Sequence, residues 1–228
     1  MIRAILFDLD ETLLDLNGDQ FLEAYIEALS QFMPPLLSPE QFTQALWSAA
    51  AALGPHHPSK TNQEILWNSI ADQTGVSPSK VRERMDAFTL TDLSAILPGG
   101  TPVPGSRLVV ETARDSGLKI VVATNPIYPL EVIRERLRRA ELDDIAWDGI
   151  ATWNFHSTKP YREYYLEWAG RLGVDPENCL MVGDDYFNDI PARDAGMETF
   201  YVGRPLPGVD TGRGGTLSAL AHLIRDEL

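Results

Sequence analysis

Cysteine and long apolar runs are scarce in this sequence. Cys179 is the only cysteine among 228 residues, so no disulfide can form within one chain. It lies in the apolar run 179–182, where a buried thiol is expected rather than a nucleophile. No stretch approaches the apolar length of a membrane span, and Asp8 interrupts the first apolar stretch too early for a signal peptide. We therefore expect a reduced, cytoplasmic protein that does not enter a membrane.

Basic residues are also few. The sequence has 19 Lys and Arg against 33 Asp and Glu, which gives a formal net charge of −14. This balance argues against nucleic acid as a partner, because phosphate backbones are bound by basic surfaces. It does not exclude a phosphorylated substrate, since a bound metal and one or two cations can reverse the local field. The length and ordinary composition allow one domain with an insertion, or two small domains.

Two carboxylates follow the first predicted strand. The apolar run 4–7 predicts a buried strand, and Asp8 and Asp10 come directly after it. Two carboxylates about 4 Å apart repel by roughly 4 kcal/mol at an effective dielectric near 20. A divalent cation or a shared proton would offset that repulsion. A helix cap and a solvated turn are alternatives, and a calcium loop is disfavoured because Leu13 stands where that loop needs glycine.

Helical and alternating patterns divide the rest of the chain. Four segments carry the spacing of amphipathic helices: 19–33, 39–53, 61–74 and 78–88. The Pro- and Gly-rich stretch 97–105 then predicts a linker. After it, predicted strands at 118–123, 149–152, 180–182 and 199–202 alternate with predicted helices at 106–116, 127–139, 161–172, 189–195 and 217–225. This alternation predicts an α/β fold with a parallel sheet flanked by helices, into which the first helices are inserted.

Polar residues stand at the ends of several of these strands. In a parallel sheet the carboxyl ends of all strands open on one edge, which is where open α/β sheets bind ligands. Lys159 precedes a predicted helix, where a cation is electrostatically misplaced unless it pairs with carboxylates or an anion. Turns and helix caps would explain each residue separately, but they do not predict a matching set. The set expected to converge is Asp8, Asp10, Thr124, Lys159, Asp184 and Asp189.

Four short motifs together resemble the haloacid dehalogenase-like (HAD) superfamily of hydrolases. They are Asp-x-Asp-x-Thr at 8–12, Thr-Asn at 124–125, Lys-Pro at 159–160 and Gly-Asp-Asp-x-x-Asn-Asp at 183–189. The segment 192–197 also resembles the stretch that follows the last acidic motif of that family. The resemblance covers essentially the whole chain. It implies a Rossmann-like catalytic core over 1–14 and 99–228, with an all-helical cap domain over 15–98 that closes over the site.

The resemblance also implies a chemistry, phosphate hydrolysis through an aspartyl-phosphate. Asp8 would be the nucleophile. Asp10 would protonate the leaving oxygen and then take a proton from the hydrolytic water. Thr124, Asn125 and Lys159 would bind the substrate, with Thr124 and Lys159 holding phosphate oxygens during catalysis.

The same resemblance implies Mg²⁺ as the cofactor. Its ligands would be Asp8, the backbone carbonyl of Asp10, and Asp184, with Asp189 supporting the metal from outside the ligand set. Asp185 stands where relatives often have Ser, so its role is open, and Thr12 is expected to act as local scaffolding. His56, His57 and Lys60 could meet an anionic substrate, but a solvated loop is favoured and they are not placed in the site.

The second aspartate favours a phosphatase over other enzymes with the same core. An oxygen leaving group needs a proton from Asp10, whereas a halide does not, and dehalogenases of this superfamily lack that residue. A phosphomutase and a phosphonate hydrolase are the remaining enzymatic alternatives, the second disfavoured by Asp10 as well. A non-catalytic scaffold is the alternative of another class. The expected partner is a small phosphorylated metabolite, and the expected state is a monomer or homodimer.

Overall fold

A computed structural model describes residues 1–54, 57–204 and 208–227. Its strands are Ala4–Phe7 (β1), Leu14–Asp15 (β2), Thr101–Pro102 (β3), Lys119–Val122 (β4), Gly149–Ile150 (β5), Cys179–Gly183 (β6), Glu198–Val202 (β7) and Arg213–Gly215 (β8). Its α-helices are Gly18–Phe32 (α1), Pro39–Ala50 (α2), Asn62–Thr74 (α3), Pro78–Thr89 (α4), Leu93–Ile96 (α5), Ser106–Asp115 (α6), Leu130–Arg139 (α7), Arg162–Leu172 (α8) and Leu217–Glu227 (α9). Short 3₁₀ helices span Pro176–Asn178 and Ile190–Ala195.

Six strands form a parallel sheet in the order β5-β4-β1-β6-β7-β8. The first strand is therefore central, with β4 on one side and β6 on the other. In the register of these pairs, Phe7 lies opposite both Val122 and Val182. The three strands consequently end level with one another, and the residues that follow them meet at one edge of the sheet.

Side chains alternate between the two faces of the sheet, as the pleat of a strand requires. Ile5 and Phe7 join an apolar cluster that includes residues of α6, α7 and α9. Ala4 and Leu6 point the other way and join a second cluster with Tyr164 and other residues of α8. Helices thus cover both faces, so β1 is buried along its whole length.

Helices α1 to α5 are inserted between β2 and β3. Ser38 and Thr61 begin α2 and α3 with capping boxes, and Gly75 ends α3 at φ 71°, a conformation that glycine adopts without a steric penalty. The strands on either side of the insertion pair antiparallel, with Asp15 opposite Thr101. Both passages of the chain into and out of the insertion therefore lie side by side.

Further contacts join the inserted helices to the sheet domain. The side-chain Nδ2 of Asn62 donates hydrogen bonds to the carbonyl oxygens of Pro126 (3.1 Å) and Ser157 (3.0 Å). The rings of Trp67 and Trp153 pack edge to face with centroids 5.0 Å apart. One apolar cluster runs through both parts, so they share a core within the described residues.

The predicted α/β fold with a parallel, helix-flanked sheet is confirmed. The helix predicted over 127–139 begins only at Leu130, because a residue that precedes proline, here Tyr128, disfavours helical backbone. The segment predicted as a helix over 189–195 is a 3₁₀ helix. Strand β8 was not predicted, since its sequence Arg-Gly-Gly lacks the β-branched and aromatic residues that favour strands. The domain boundaries at 15 and 98 stay a prediction.

No helix in the described part of the chain has both the length and the apolarity needed to cross a membrane.

Candidate active site

The ends of β1, β4 and β6 bring the predicted residues together. The sheet pairing continues one step past β1, since the backbone N–H of Asp8 donates to the carbonyl of Val182 at 2.8 Å. The backbone N–H of Ala123 likewise donates to the carbonyl of Phe7 at 2.6 Å. Asp8, Thr124 and Asp184 therefore emerge from neighbouring strands at the same edge, and all three line one cavity.

Three carboxylates form a compact cluster at this edge. One oxygen from each of Asp8, Asp184 and Asp189 lies within 4.8 Å of the others. Asp8 is 9% exposed and Asp189 1%, so water alone cannot screen their charges. A hard divalent cation fits this donor set, because carboxylate oxygens are its preferred protein ligands and the open side leaves room for waters or a phosphate.

Lys159 bridges two of the three carboxylates. Its Nζ donates to Asp8 Oδ1 at 2.8 Å and to Asp189 Oδ1 at 2.6 Å. Burial alone would lower the pKa of Lys159, but the charges of Asp189 and Asp8 outweigh it and hold the pKa well above its usual value. The ammonium group is thus a permanent cation beside the predicted nucleophile, which explains why a lysine stands before α8.

Burial and mutual repulsion raise the pKa values of Asp184 and Asp189. Burial, reinforced by the charge of Asp8, raises the pKa of Asp184 to about 7, although a hydrogen bond from Thr12 Oγ1 (2.7 Å) opposes the shift. Burial also raises the pKa of Asp189, against the attraction of Lys159. A cluster that raises carboxyl pKa values in this way favours either protons or a metal ion. Thr12 thus contacts one carboxylate of the cluster, and its scaffolding role stays a prediction.

A tight turn after β6 positions Asp189. Its Oδ2 accepts a hydrogen bond from the backbone N–H of Asp185 at 3.0 Å. A Cβ on Gly183 would stand 2.0 Å from that same oxygen, so only glycine leaves space for the carboxylate. The side chain of Asp185 accepts hydrogen bonds from the backbone N–H groups of Phe187 (2.7 Å) and Asn188 (3.2 Å). Asp185, whose role the sequence left open, therefore closes the turn.

Asp10 lines the same cavity but belongs to a different pair. Its Oδ2 lies 2.6 Å from Nη1 of Arg136, a residue of α7 that is 0% exposed. The guanidinium lies over the rings of Phe21 (4.9 Å) and Tyr128 (4.6 Å). Burial raises the pKa of Asp10, and Arg136 partly offsets that effect. The predicted proton donor thus has its own buried cation, separate from Lys159.

Sequence reasoning missed Arg136, although a signal for it exists. Four arginines crowd the end of α7, and three of them are more exposed than Arg136. Arg136 differs from them because it follows Val132 and Ile133 at helical spacing, together with Leu137, on the buried face. An arginine in the apolar stripe of an amphipathic helix requires a buried acid as its partner.

Thr124 and Asn125 lie on the cavity wall as expected. The backbone carbonyl of Thr124 accepts a hydrogen bond from the hydroxyl of Tyr164 at 2.8 Å, which holds the loop after β4 against α8. The side-chain Oδ1 of Asn125 is buried and has no hydrogen-bond partner within the described residues. A buried amide oxygen without a partner is unusual in a folded protein.

The cavity itself has a volume of about 430 Å³. All the predicted site residues line it except Asp189, which lies beneath Lys159. His56 lies outside the described residues. His57 is bonded through its backbone to His156, and neither it nor Lys60 belongs to the described lining of the cavity. A larger groove of about 950 Å³ between α5 and α7 contains none of the predicted site residues.

The fold and this cluster of carboxylates define a Rossmann-like α/β protein with a helical insertion and an acidic site at the carboxyl edge of its sheet. Comparison with known proteins supplies the family. The haloacid dehalogenase-like hydrolase family matches residues 2–196. The chain belongs to this family, so the resemblance inferred from the four motifs is confirmed, as is the expectation of an enzyme of the hydrolase class.

The chain is similar to two curated proteins that are named as phosphatases with different substrates. Hexitol phosphatase B from Escherichia coli is 28% identical over 61% of this chain. The match also spans only 61% of that enzyme's own length. Pyrophosphatase PpaX from Anoxybacillus flavithermus is 26% identical over 91% of this chain and 86% of its own length. Among solved structures, a HAD phosphatase from Thermococcus onnurineus aligns with a TM-score of 0.57 and 22% identity, covering 98% of both chains. This structural likeness shows the fold.

Proposed function

We propose that this protein is a Mg²⁺-dependent phosphatase that hydrolyses a small phosphomonoester through an aspartyl-phosphate on Asp8. The observation that carries the proposal is the position of Lys159, whose Nζ contacts both Asp8 and Asp189 at the cavity wall. A fixed cation at a carboxylate nucleophile is what the transfer of a charged phosphoryl group requires. The family and the phosphatase names of its relatives support the same reaction.

The carboxylates of Asp8 and Asp184, with the backbone carbonyl of Asp10, would hold the metal. Asp189 would support it from outside by fixing Lys159. When bound, the metal would supply charge neutralisation between the acidic cluster and the phosphate. The fit rests on the carboxylate oxygens of Asp8 and Asp184, which lie within 4.8 Å of one another and are the kind of ligand that Mg²⁺ prefers.

In the first step, an oxygen of Asp8 forms a bond to phosphorus while the bond from phosphorus to the ester oxygen breaks. Asp10 gives its proton to that departing oxygen, and a raised pKa favours the protonated form that this step needs. In the second step, Asp10 takes a proton from water as the water oxygen attacks phosphorus and releases Asp8. Lys159 and Thr124 hold the phosphate oxygens in both steps.

Release of inorganic phosphate tests the proposal. We expect turnover of several phosphomonoesters with Mg²⁺ and none with a chelator present. Asp8→Asn should abolish turnover, because an amide cannot form the acyl-phosphate, and Asp72→Asn, the same change at an exposed position of α3, should leave it unchanged. Mass spectrometry of acid-quenched enzyme should find the phosphoryl group on the peptide that contains Asp8.

Two results would contradict this function. Absence of chelator-sensitive phosphate release across a broad panel would favour a non-catalytic scaffold. Transfer of the phosphoryl group to another hydroxyl of the substrate, with little free phosphate, would favour a phosphomutase.

A further inference from the structure

The charges around the cavity are strongly unbalanced. Of the described residues that line it, one is basic and six are acidic. The basic residue is Lys159. The acidic residues are Asp8, Asp10, Glu11, Asp19, Asp184 and Asp185. A substrate enters this cavity with a phosphate at one end. The charges that line the rest of the cavity therefore determine whether the leaving group at the other end can be charged.

The two cations that contact the carboxylates of the site, Lys159 and Arg136, are already engaged. Lys159 is 5% exposed and contacts two carboxylates, Asp8 and Asp189, beside the predicted phosphate position. Arg136 is paired with Asp10, is 0% exposed and does not belong to the lining. Among the described residues that line the cavity, no basic group is left to meet an anion on the leaving group.

The outer acids lack such partners. Glu11 and Asp19 are exposed at the mouth of the cavity, Asp19 in the first turn of α1. Asp185 is bonded to backbone N–H groups and to Asn188. In the described part of the chain, none of the three lies within ion-pair distance of a Lys or Arg. Their charges therefore act on whatever enters, and they repel an anion there.

The remaining lining offers neutral hydrogen-bonding groups and aromatic rings. Three amides, those of Asn17, Asn125 and Asn188, and three phenols, those of Tyr128, Tyr186 and Tyr201, line the wall. Amide and phenol groups can both donate and accept hydrogen bonds, as the hydroxyl groups of a ligand require. Phe187 is 76% exposed at the rim, and its ring offers an apolar face to the carbon skeleton of a ligand.

We propose that the phosphoester substrate has an uncharged polyhydroxy alcohol as its leaving group, and that the cavity rejects esters whose leaving group carries a carboxylate or a second phosphate. The inference rests on the proposed phosphatase function and names its substrate class. Amides and phenols recognise hydroxyl groups, while Glu11, Asp19 and Asp185 exclude anions.

Matched pairs of esters that differ by one charge test the proposal. Sorbitol 6-phosphate and 6-phosphogluconate differ chiefly in a terminal hydroxymethyl or carboxylate group. The pair 2-hydroxyethyl phosphate and phosphoglycolate makes the same comparison with a smaller leaving group. We expect kcat/KM to be higher for the neutral member of each pair by about tenfold or more, equivalent to about 1.4 kcal/mol. Added salt should lower the ratio of kcat/KM between the neutral and the anionic member, because it screens the exposed acids.

A charge reversal with a matched control locates the effect. Asp19→Lys should raise the relative kcat/KM of the anionic member by about threefold or more. Glu23→Lys changes the net charge equally on the exposed side of the same helix but outside the cavity lining, so it should leave the ratio unchanged. If Asp19→Lys does not fold, Asp19→Asn removes the charge more gently, with a smaller shift expected in the same direction.

The possible outcomes separate this inference from the proposed function. Equal or better turnover of the anionic members would overturn the inference and leave the phosphatase intact. If Asp19→Lys and Glu23→Lys reduced the difference in kcat/KM between neutral and anionic esters equally, the inference would also be overturned, since the effect would then come from net charge alone. Absence of turnover for all four esters and for the broad panel would overturn the phosphatase function, and the inference with it.

Discussion

The carboxylate of Asp10 is held by a cation that lies entirely inside the protein. Arg136 contacts it at 2.6 Å, while Phe21 of the insertion and Tyr128 of the core cover the guanidinium. A buried ion pair stabilises little by itself, but removing one partner leaves an uncompensated charge that costs about 3–5 kcal/mol. The pair therefore fixes where Asp10 lies more than it stabilises the fold.

Asp10→Asn tests the role of this residue in proton transfer. The amide can still accept a hydrogen bond from Arg136, so we expect the fold to persist. Turnover of an alkyl phosphate should fall by about 10²- to 10⁴-fold, the usual contribution of a general acid and base. Turnover of p-nitrophenyl phosphate should fall less, because its leaving group needs no proton. Full turnover of the alkyl ester by the variant would contradict the acid role.

A double-mutant cycle tests the Asp10–Arg136 pair. Arg136→Met removes the charge, keeps much of the volume, and leaves Asp10 buried without a cation, so we expect a loss of several kcal/mol in unfolding free energy. Adding Asp10→Asn to it should restore part of that loss, since no buried charge remains. Urea denaturation of the wild type, both single variants and the double variant measures the coupling. Strictly additive effects would show that the two groups do not interact.

At the scale of elements, the start of α3 connects the insertion to two loops of the active site. Asn62 is 0% exposed, and its Nδ2 donates to Pro126, next to Asn125, and to Ser157, two residues before Lys159. The side chain thus joins the loop after β4 to the loop before α8. These are the loops that carry Thr124 and Lys159.

Asn62→Ala should weaken both stability and substrate binding. The two carbonyl groups would lose their donor inside the protein, and an unsatisfied buried group costs about 1–3 kcal/mol. We expect a lower Tm and a higher KM, because the loops proposed to hold the phosphate would be less well ordered. Gln63→Ala removes the neighbouring side chain but keeps the backbone hydrogen bond to Trp153, and it should change neither quantity much. Equal effects of both variants would argue against a specific connection.

At the scale of the whole molecule, the insertion and the core share one apolar cluster. The two connections between insertion and core pair with each other as β2 and β3. Gly100 has room only for hydrogen, since a Cβ would lie 2.9 Å from the Asp15 carbonyl oxygen. Closure of the insertion over the site, expected from the resemblance, stays a prediction. Any such motion must also release the contacts of Asn62 and Trp67 with the core.

Metal binding should stabilise the protein in a pH-dependent way. Burial, with the charge of Asp8, raises the pKa of Asp184 to about 7. An unfolded aspartate releases its proton near pH 4, so between about pH 4 and 7 the folded form binds more protons, and the metal-free protein loses stability as the pH rises. The proposed Mg²⁺ would take the place of that proton, so we expect it to raise Tm more at about pH 8 than at about pH 5.

Thermal unfolding with Mg²⁺ or with a chelator, at both pH values, measures this dependence. Asp184→Asn cannot ionise and keeps an oxygen that can accept the hydrogen bond from Thr12, so it should lose most of the Mg²⁺ effect at the higher pH. An equal Tm increase at both pH values in the wild type would show that the metal does not compete with protons at this cluster.

Much of this organisation follows from the sequence by itself. Hydrophobic periodicity and the Pro- and Gly-rich punctuation predicted the helical insertion and the parallel sheet, because burial of one face is a local requirement on the chain. Convergence of Asp8, Thr124 and Asp184 also followed, because parallel strands share one carboxyl edge. Strand β8 and helix α5 were missed, because neither segment is long enough to show a clear strand or helix pattern.

Only the tertiary structure decided how the charges pair. The sequence supplied Asp8, Asp10 and Lys159, but Arg136 became the partner of Asp10 through packing of α7 beneath the site, 126 residues along the chain. The absence of a free cation in the described lining of the cavity is likewise a property of several segments together. Which charged groups pair, and how strongly, depends on their distance in space and on the exclusion of water. The local sequence determines neither of these.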